Sequence, residues 1–164
     1  AGLLFGGSYI FRNCTFAGGC SDFSPRNDPI FAVSNSREFT EDGQQVVEVF
    51  PTFLGLYNSI IWGPRRNEAG LGLRGGAPAV ADLRNNILKV DTSLDITYDP
   101  SNQLNLNPQY VDANCDTTPF PFLLEENSPA VDASDDQFGT PPDDRLGDAR
   151  AGAADLGALE FKDN

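Results

Sequence analysis

The chain has 164 residues, a formal net charge of −13 and no His or Met, a length suited to one domain with a sizeable core and short for two. The acidic balance argues against nucleic acid as a partner, because phosphate binding needs a positive field. No apolar run is long enough to cross a bilayer, no leader-like segment opens the chain, and no Cys or His spacing suggests zinc.

Sixteen Gly, twelve Pro and twelve Phe, with frequent Asn, predict short strands joined by tight turns rather than long helices. Strand-like sequence begins by Leu3 and runs through residues 3–19. Residues 20–29 form a polar loop, and residues 30–33 resume a strand. The charged stretch 34–43 and the alternating stretch 44–53, with Val47, Val49 and Phe53, predict an excursion resembling a projecting hairpin. Long loops are expected at about 20–53 and 64–79. The Gly-x-Gly beginnings in 70–76 lack the strand, turn and helix that a nucleotide fingerprint requires.

One short element recurs: Ile10-Phe11-Arg12-Asn13-Cys14-Thr15-Phe16, then Gly55-Leu56-Tyr57-Asn58-Ser59-Ile60-Ile61, then Asp82-Leu83-Arg84-Asn85-Asn86-Ile87-Leu88. Weaker copies surround Asn35 and Asn105. The five residues Asn13, Asn35, Asn58, Asn85 and Asn105 are spaced by 22, 23, 27 and 20 positions, the order of one turn of a solenoid. Stacked in register, they predict an asparagine ladder at inward-turning corners, since Asn bonds local backbone and tolerates the left-handed conformation. Asn-rich turns of an antiparallel sandwich would give a similar pattern.

The closing segment is the most acidic. From residue 125 to 164 eleven acids face three bases, which accounts for −8 of the −13. It contains Asn127-Ser128-Pro129-Ala130-Val131-Asp132-Ala133 and Ala154-Asp155-Leu156-Gly157-Ala158-Leu159-Glu160-Phe161, read as two short apolar strands carrying Asp132 and Asp155 around a loop rich in Asp, Pro and Gly. These phrases resemble the S-P-A-I-D-A-G-D and D-I-G-A-Y-E-[FY] ending of secreted right-handed parallel β-helix proteins of bacteria, especially surface proteins of the Bacteroidetes type. Leu106-Asn107-Pro108-Gln109-Tyr110-Val111-Asp112, Asn58-Ser59-Ile60-Ile61-Trp62-Gly63 and Asn85-Asn86-Ile87-Leu88-Lys89 are similar to other phrases of that family. Ser134 and Leu159 stand where its usual Gly and Tyr would be.

The resemblance implies an all-β fold, a right-handed parallel β-helix of about four or five coils over residues 1–116. Residues 117–164 would form a C-terminal cap hiding the last edge, with Asp132 and Asp155 as its marker residues. It also implies an extracellular or cell-surface location. Because the chain lacks Met and enters strand-like sequence at once, the expectation is a processed or incomplete chain, partnered by an upstream part of the same protein or by another surface protein.

Catalytic and metal chemistry leaves fainter traces. Asp135-Asp136 and Asp143-Asp144 are adjacent carboxylates, but neighbours on a strand face opposite ways, so acid and base roles are not expected of them. Arg12, Arg84 and Lys89 are the basic residues nearest the ladder, without an obvious acidic cluster beside them. Asp112-Ala113-Asn114-Cys115-Asp116 opens like a calcium loop, yet Thr117 and Leu123 stand where Gly and Glu are needed. Oxygen-rich residues 132–148 suit calcium or simple turn capping, and capping is the expectation, with no cofactor. Cys14 and Cys20 flank Gly18-Gly19, making them a candidate disulfide that would fit an oxidising compartment, with three buried thiols as the alternative. Trp62 and Tyr57 are the aromatics best placed to stack on a sugar.

These observations predict a non-catalytic extracellular module in adhesion, glycan contact or assembly with other surface proteins. The alternatives are a polysaccharide lyase or glycoside hydrolase whose active site lies upstream, and a subunit of a surface fibre or complex.

Overall fold

The computed structural model describes residues 2–18, 27–113, 122–150 and 152–162. Among these residues it is all-β, with twelve strands, one turn of 3₁₀ helix at Asp136–Phe138 and no α-helix. Ten strands form three parallel sheets. The first sheet orders β1 (Gly2–Phe5), β4 (Phe31–Ser34) and β9 (Ala69–Gly72). The second orders β2 (Gly7–Arg12), β7 (Thr52–Tyr57) and β10 (Ala79–Arg84). The third orders β3 (Thr15–Ala17), β8 (Ile60–Trp62), β11 (Ile87–Leu88) and β12 (Gln103–Leu104). The chain therefore visits the three sheets in the same order in three successive passes and adds a fourth rung to the third sheet alone, fewer complete passes than the expected four or five.

Strand alternation explains why these segments stack. In Thr52–Tyr57, Leu54 and Leu56 are completely buried on one face, while Phe53 and Tyr57 stand on the other with Gly55 between them. A Cβ on Gly55 would come within 2.9 Å of the Tyr57 ring, so the residue must be Gly for that ring to lie over it. Leu54 and Leu56 join Phe31, Val33, Ile61, Leu83, Leu88 and Val90 in a core shared by all three sheets. Phe11, Phe16 and Phe31 meet edge-on or tilted within this core, with centroids 4.7–5.6 Å apart. Tyr98 packs against the same cluster from the segment after Val90.

The excursion after β4 is an antiparallel hairpin of β5 (Ser36–Glu41) and β6 (Gln44–Val49). Its turn residues Asp42 and Gly43 have φ of 50° and 76°, the two positive angles that a two-residue hairpin turn favours. Arg37 lies directly opposite Glu48 and bonds it at 2.6 Å, and Glu38 reaches back to Arg74 of the third pass.

Residues 122–162 do not take the expected position over an edge. Within the described residues no strand of this segment adds to β9, β10 or β12, and neither apolar phrase is a strand. The segment packs flat against the outer face of the third sheet. Ile60 and Ile87, which face away from the shared core, are buried beneath Leu124, Ala130 and Leu156 as a second apolar cluster. The physical reason is the outward-facing pair of isoleucines: an apolar row on two adjacent rungs needs a cover, and the closing segment supplies it. We call this segment the strap.

Candidate functional site

The corner between the second and third sheets carries the side-chain chemistry that joins the passes to the strap. Arg12, Tyr57 and Arg84 are in register at the end of the second sheet, and Thr15, Ile60, Ile87 and Gln103 at the start of the third. Two residues turn the corner in each pass. Asn13, Asn58 and Asn85 come first, at φ of 44°, 51° and 55°, the left-handed region that Asn enters more easily than other side chains. Their amides face the strap. Asn13 Nδ2 donates to Ser134 Oγ at 2.9 Å and to the Asp155 carbonyl at 3.0 Å. Asn58 and Asp135 exchange bonds of 3.0 and 2.9 Å, and Asn85 Nδ2 donates to the Ala133 carbonyl and to Asn58 Oδ1, each at 2.8 Å.

Asn35 and Asn105 stand at other corners: Asn35 after the first sheet, where it exchanges bonds with Arg74, and Asn105 after the third, where it exchanges bonds with Val90. The five-member ladder is thus three residues at one corner and one at each of two others. The true inward ladder lies one position further along the chain, in Cys14, Ser59, Asn86 and Asn102. Ser59 Oγ accepts from Cys14 N–H at 3.1 Å, Asn86 Oδ1 from Ser59 N–H at 2.9 Å, and Asn102 Oδ1 from Asn86 Nδ2 at 2.9 Å. The second residues of the pairs Asn58-Ser59 and Asn85-Asn86 were the available sequence signal.

Asp155 gathers the strap together. Its side chain is buried and accepts from the backbone N–H groups of Asp132 and Phe161, while its carbonyl accepts from Asn13, Ser134 and Arg150. Asp132 contributes its backbone, at φ 53°, and leaves its side chain exposed. The Arg150 side chain is 2% exposed, paired with Glu160 and bonded to the Gly157 carbonyl at 2.7 Å. Asp144 is buried and accepts from Leu146, Asp148 and Glu160 N–H groups. Burial pushes its carboxyl up, but those three donors and Arg150 together hold it below the usual carboxylate range. For Glu160 burial dominates and raises the carboxyl, against the Asp155 N–H bond. Asp135 accepts from Gln137 N–H and caps the 3₁₀ turn.

The recess with the most convincing binding character lies beside the end of β8. It has a volume of about 480 Å³ and is lined by Trp62, Asn107, Gln109, Tyr110 and Glu125, together with Gly18 and Gly63. Lys89 Nζ lies over the indole at 4.7 Å from the ring centroid and holds the ring in place. Asn107 Oδ1 accepts from Gln109 N–H at 2.9 Å and stabilises Gln109 at φ 53°, which turns the chain into the recess. The Tyr110 hydroxyl is buried without a hydrogen-bond partner among the described residues, and burial raises its pKa. Tyr57 is differently placed: its ring stacks on Phe138 at 4.8 Å and its hydroxyl donates to Asp82, so neither is free to meet a ligand.

Arg12 Nε donates to the Phe138 carbonyl at 2.6 Å, Arg84 pairs with Asp82 and Lys89 lies over Trp62, so all three candidate bases are engaged in structure. Among the described residues no three acids or cysteines converge as a metal-holding group. Residues 114–116 of the calcium-like loop lie outside the described residues, as do Cys20 and Cys115, and Cys14 is a free thiol. Sequence reasoning passed over Glu68. Its side chain is fully buried, and its carboxylate accepts from Ile30 N–H at 3.0 Å and Arg65 N–H at 3.1 Å, tying two connections together.

The fold and the recess define an all-β protein of parallel sheets with a lateral strap and an aromatic, amide-lined depression. Comparison with protein-family models, with curated proteins and with solved structures found no match in any of the three.

Proposed function

We propose that the chain is a length of right-handed parallel β-helix and a non-catalytic, extracellular module of a bacterial cell-surface protein that contacts glycan at the Trp62 recess. Three ordered passes through three parallel sheets support the β-helix reading, and the likeness of the strap phrases to β-helix endings supports the location. One observation carries the glycan reading: a half-buried indole, steadied by Lys89, lines a recess with two amide side chains and a carboxylate. An aromatic face packs on the C–H surface of a sugar, and amides bond paired hydroxyls. Glu125 is the carboxylate in the described lining, an acceptor for a sugar hydroxyl.

The test uses the single Trp of the chain. Titration with neutral and uronic-acid oligosaccharides should shift Trp62 emission saturably, and Asn107→Ala with Gln109→Ala should weaken that response without unfolding the chain. An emission unmoved by every glycan, or a response indifferent to both substitutions, removes the reading.

A further inference from the structure

The first pass forms one end of the stack, where β1, β2 and β3 are the edge strands of the three sheets. Their inward residues Leu4, Tyr9, Phe11 and Phe16 remain partly exposed, whereas their register partners in the second pass, Val33, Leu54, Leu56 and Ile61, are buried. Leu3 at 68%, Ile10 at 51% and Phe5 at 37% exposure add apolar surface on the outward side of the same strands. Backbone bonds fix which groups face the opening. The N–H groups of Gly6, Gly7, Asn13 and Gly18 donate to the second pass, and bonding direction alternates along a strand. Leu3 and Phe5 of β1, Ser8, Ile10 and Arg12 of β2, and Thr15 and Ala17 of β3 therefore turn their N–H and C=O groups towards the open end. The Phe5 and Arg12 carbonyls also accept from Tyr9 Oη and Cys14 Sγ, and each keeps a second lone pair. An apolar strand edge of this kind is a template for further strands.

A second copy of the chain offers two ends to this edge, and only one of them fits. At the far end β9 and β10 have no neighbour beyond them among the described strands, but β11 already carries β12. A copy seated with β1 on β9 and β2 on β10 would find the place of its β3 taken. The first pass, by contrast, is complementary to itself. Ser8 and Arg12 lie two residues on either side of Ile10, Phe5 and Thr15 five, and Leu3 and Ala17 seven, and all of them face the opening. A two-fold axis through Ile10 therefore sets β2 antiparallel to β2 of the second copy and β1 antiparallel to its β3. Ile10 then meets its own counterpart as a hydrogen-bonded pair, Ser8 meets Arg12, Phe5 meets Thr15 and Leu3 meets Ala17. Charge permits the approach, because Arg12 is the one charged residue of these three strands in a chain of net charge −13. We propose that the first pass is a self-association surface that closes a two-fold dimer of this chain. The surface stands on β1, β2 and β3 and does not depend on the glycan reading of the Trp62 recess.

The experiment is sedimentation equilibrium of the native chain, Ile10→Lys and Val80→Lys, the last a similarly exposed outward residue of β10 at 53%. The native chain should sediment at twice its chain mass. Ile10→Lys should fall to the single-chain mass, because two like charges would stand directly opposite each other, and Val80→Lys should keep the doubled mass. A second variant reads the register. Opposite residues of a hydrogen-bonded antiparallel pair have Cα atoms about 5.5 Å apart, within the span of a disulfide. Ile10→Cys should therefore join two copies at position 10 on oxidation by molecular oxygen, with peptide mapping to separate that bond from the native cysteines. A native chain of single mass up to about 1 mM overturns the proposal and leaves this end to strands of another protein. Masses above two chains overturn it in favour of open-ended stacking. It is equally overturned if Val80→Lys rather than Ile10→Lys dissociates the pair, or if Ile10→Cys dimerises without linking at position 10.

Discussion

Asn58 and Asp135, 77 positions apart, exchange two hydrogen bonds, side-chain amide to backbone carbonyl in one direction and backbone N–H to side-chain oxygen in the other. The Asn58 side chain thus imitates a strand neighbour for a segment that has none. Asn58→Ala should destabilise the chain by about 2–4 kcal/mol, combining lost buried bonds with a β-carbon at positive φ. Asn58→Gly should cost about 1 kcal/mol less, because it removes the bonds but relieves the backbone. Equal losses for the two variants in urea denaturation would show that the backbone conformation carries none of the effect.

The inward ladder should be less forgiving than its apolar surroundings. Asn86 is fully buried and bonds Leu56, Ser59 and Asn102, so Asn86→Leu orphans several buried groups at once. The expected loss is about 3–5 kcal/mol, since each unmet buried partner costs about 1–3 kcal/mol and neighbours relax in part. Denaturant midpoints for Asn86→Leu and for the exposed control Gln44→Leu would separate this from a general polar effect.

Asp144 should give the strap a pH dependence of definite sign. Its folded pKa lies below the usual carboxylate value, so its contribution is present above that value and is lost as pH falls through the folded pKa. Asp144→Asn should therefore destabilise by about 1–3 kcal/mol near neutrality and by progressively less below about pH 4. Glu160, raised by burial, works in the opposite direction, so the wild-type profile alone would mix the two. Stability of both chains measured from pH 2 to 7 tests the convergence.

Gly157 marks where strap and sheet come closest. It sits at φ 90°, and an added Cβ would lie 2.5 Å from Thr15 Oγ1 and 3.0 Å from Ile60 Cδ1. Gly157→Ala should loosen the strap by about 2–3 kcal/mol. Amide exchange at Gly157 and Ala158, which donate to Asn58 and Thr15, should accelerate while Leu54 and Leu56 stay protected.

Much of the architecture is legible from residue pattern because the passes repeat. The charged stretch 34–43 and the alternating stretch 44–53 predict a projecting hairpin, and β5 and β6 form one there. The asparagine corner is half legible. Spacing alone cannot tell one corner from the next when insertions such as the β5–β6 hairpin alter the length of a pass, which is how Asn35 and Asn105 joined a ladder to which they do not belong. The division of work within Asn85-Asn86, outward for the first residue and inward for the second, depends on one backbone angle that composition does not reveal. The strap's position was the hardest to foresee. Its apolar residues announce burial, but the surface they cover is the outward row of Ile60 and Ile87, which is recognisable as a row only once the rungs are in register.

The strap's fastenings are widely separated along the chain: Asn85 with Ala133 across 48 positions, Asn58 with Asp135 across 77, and Asn13 with Asp155 across 142. Closing such distant contacts is slow unless the intervening chain is already ordered. A chain emerging from the ribosome would stack its passes first and fasten the strap last. A misplaced pass would carry one asparagine out of reach of its partner, so the strap acts as a gauge of rung spacing, and locking it in place records that the stack beneath was assembled in register.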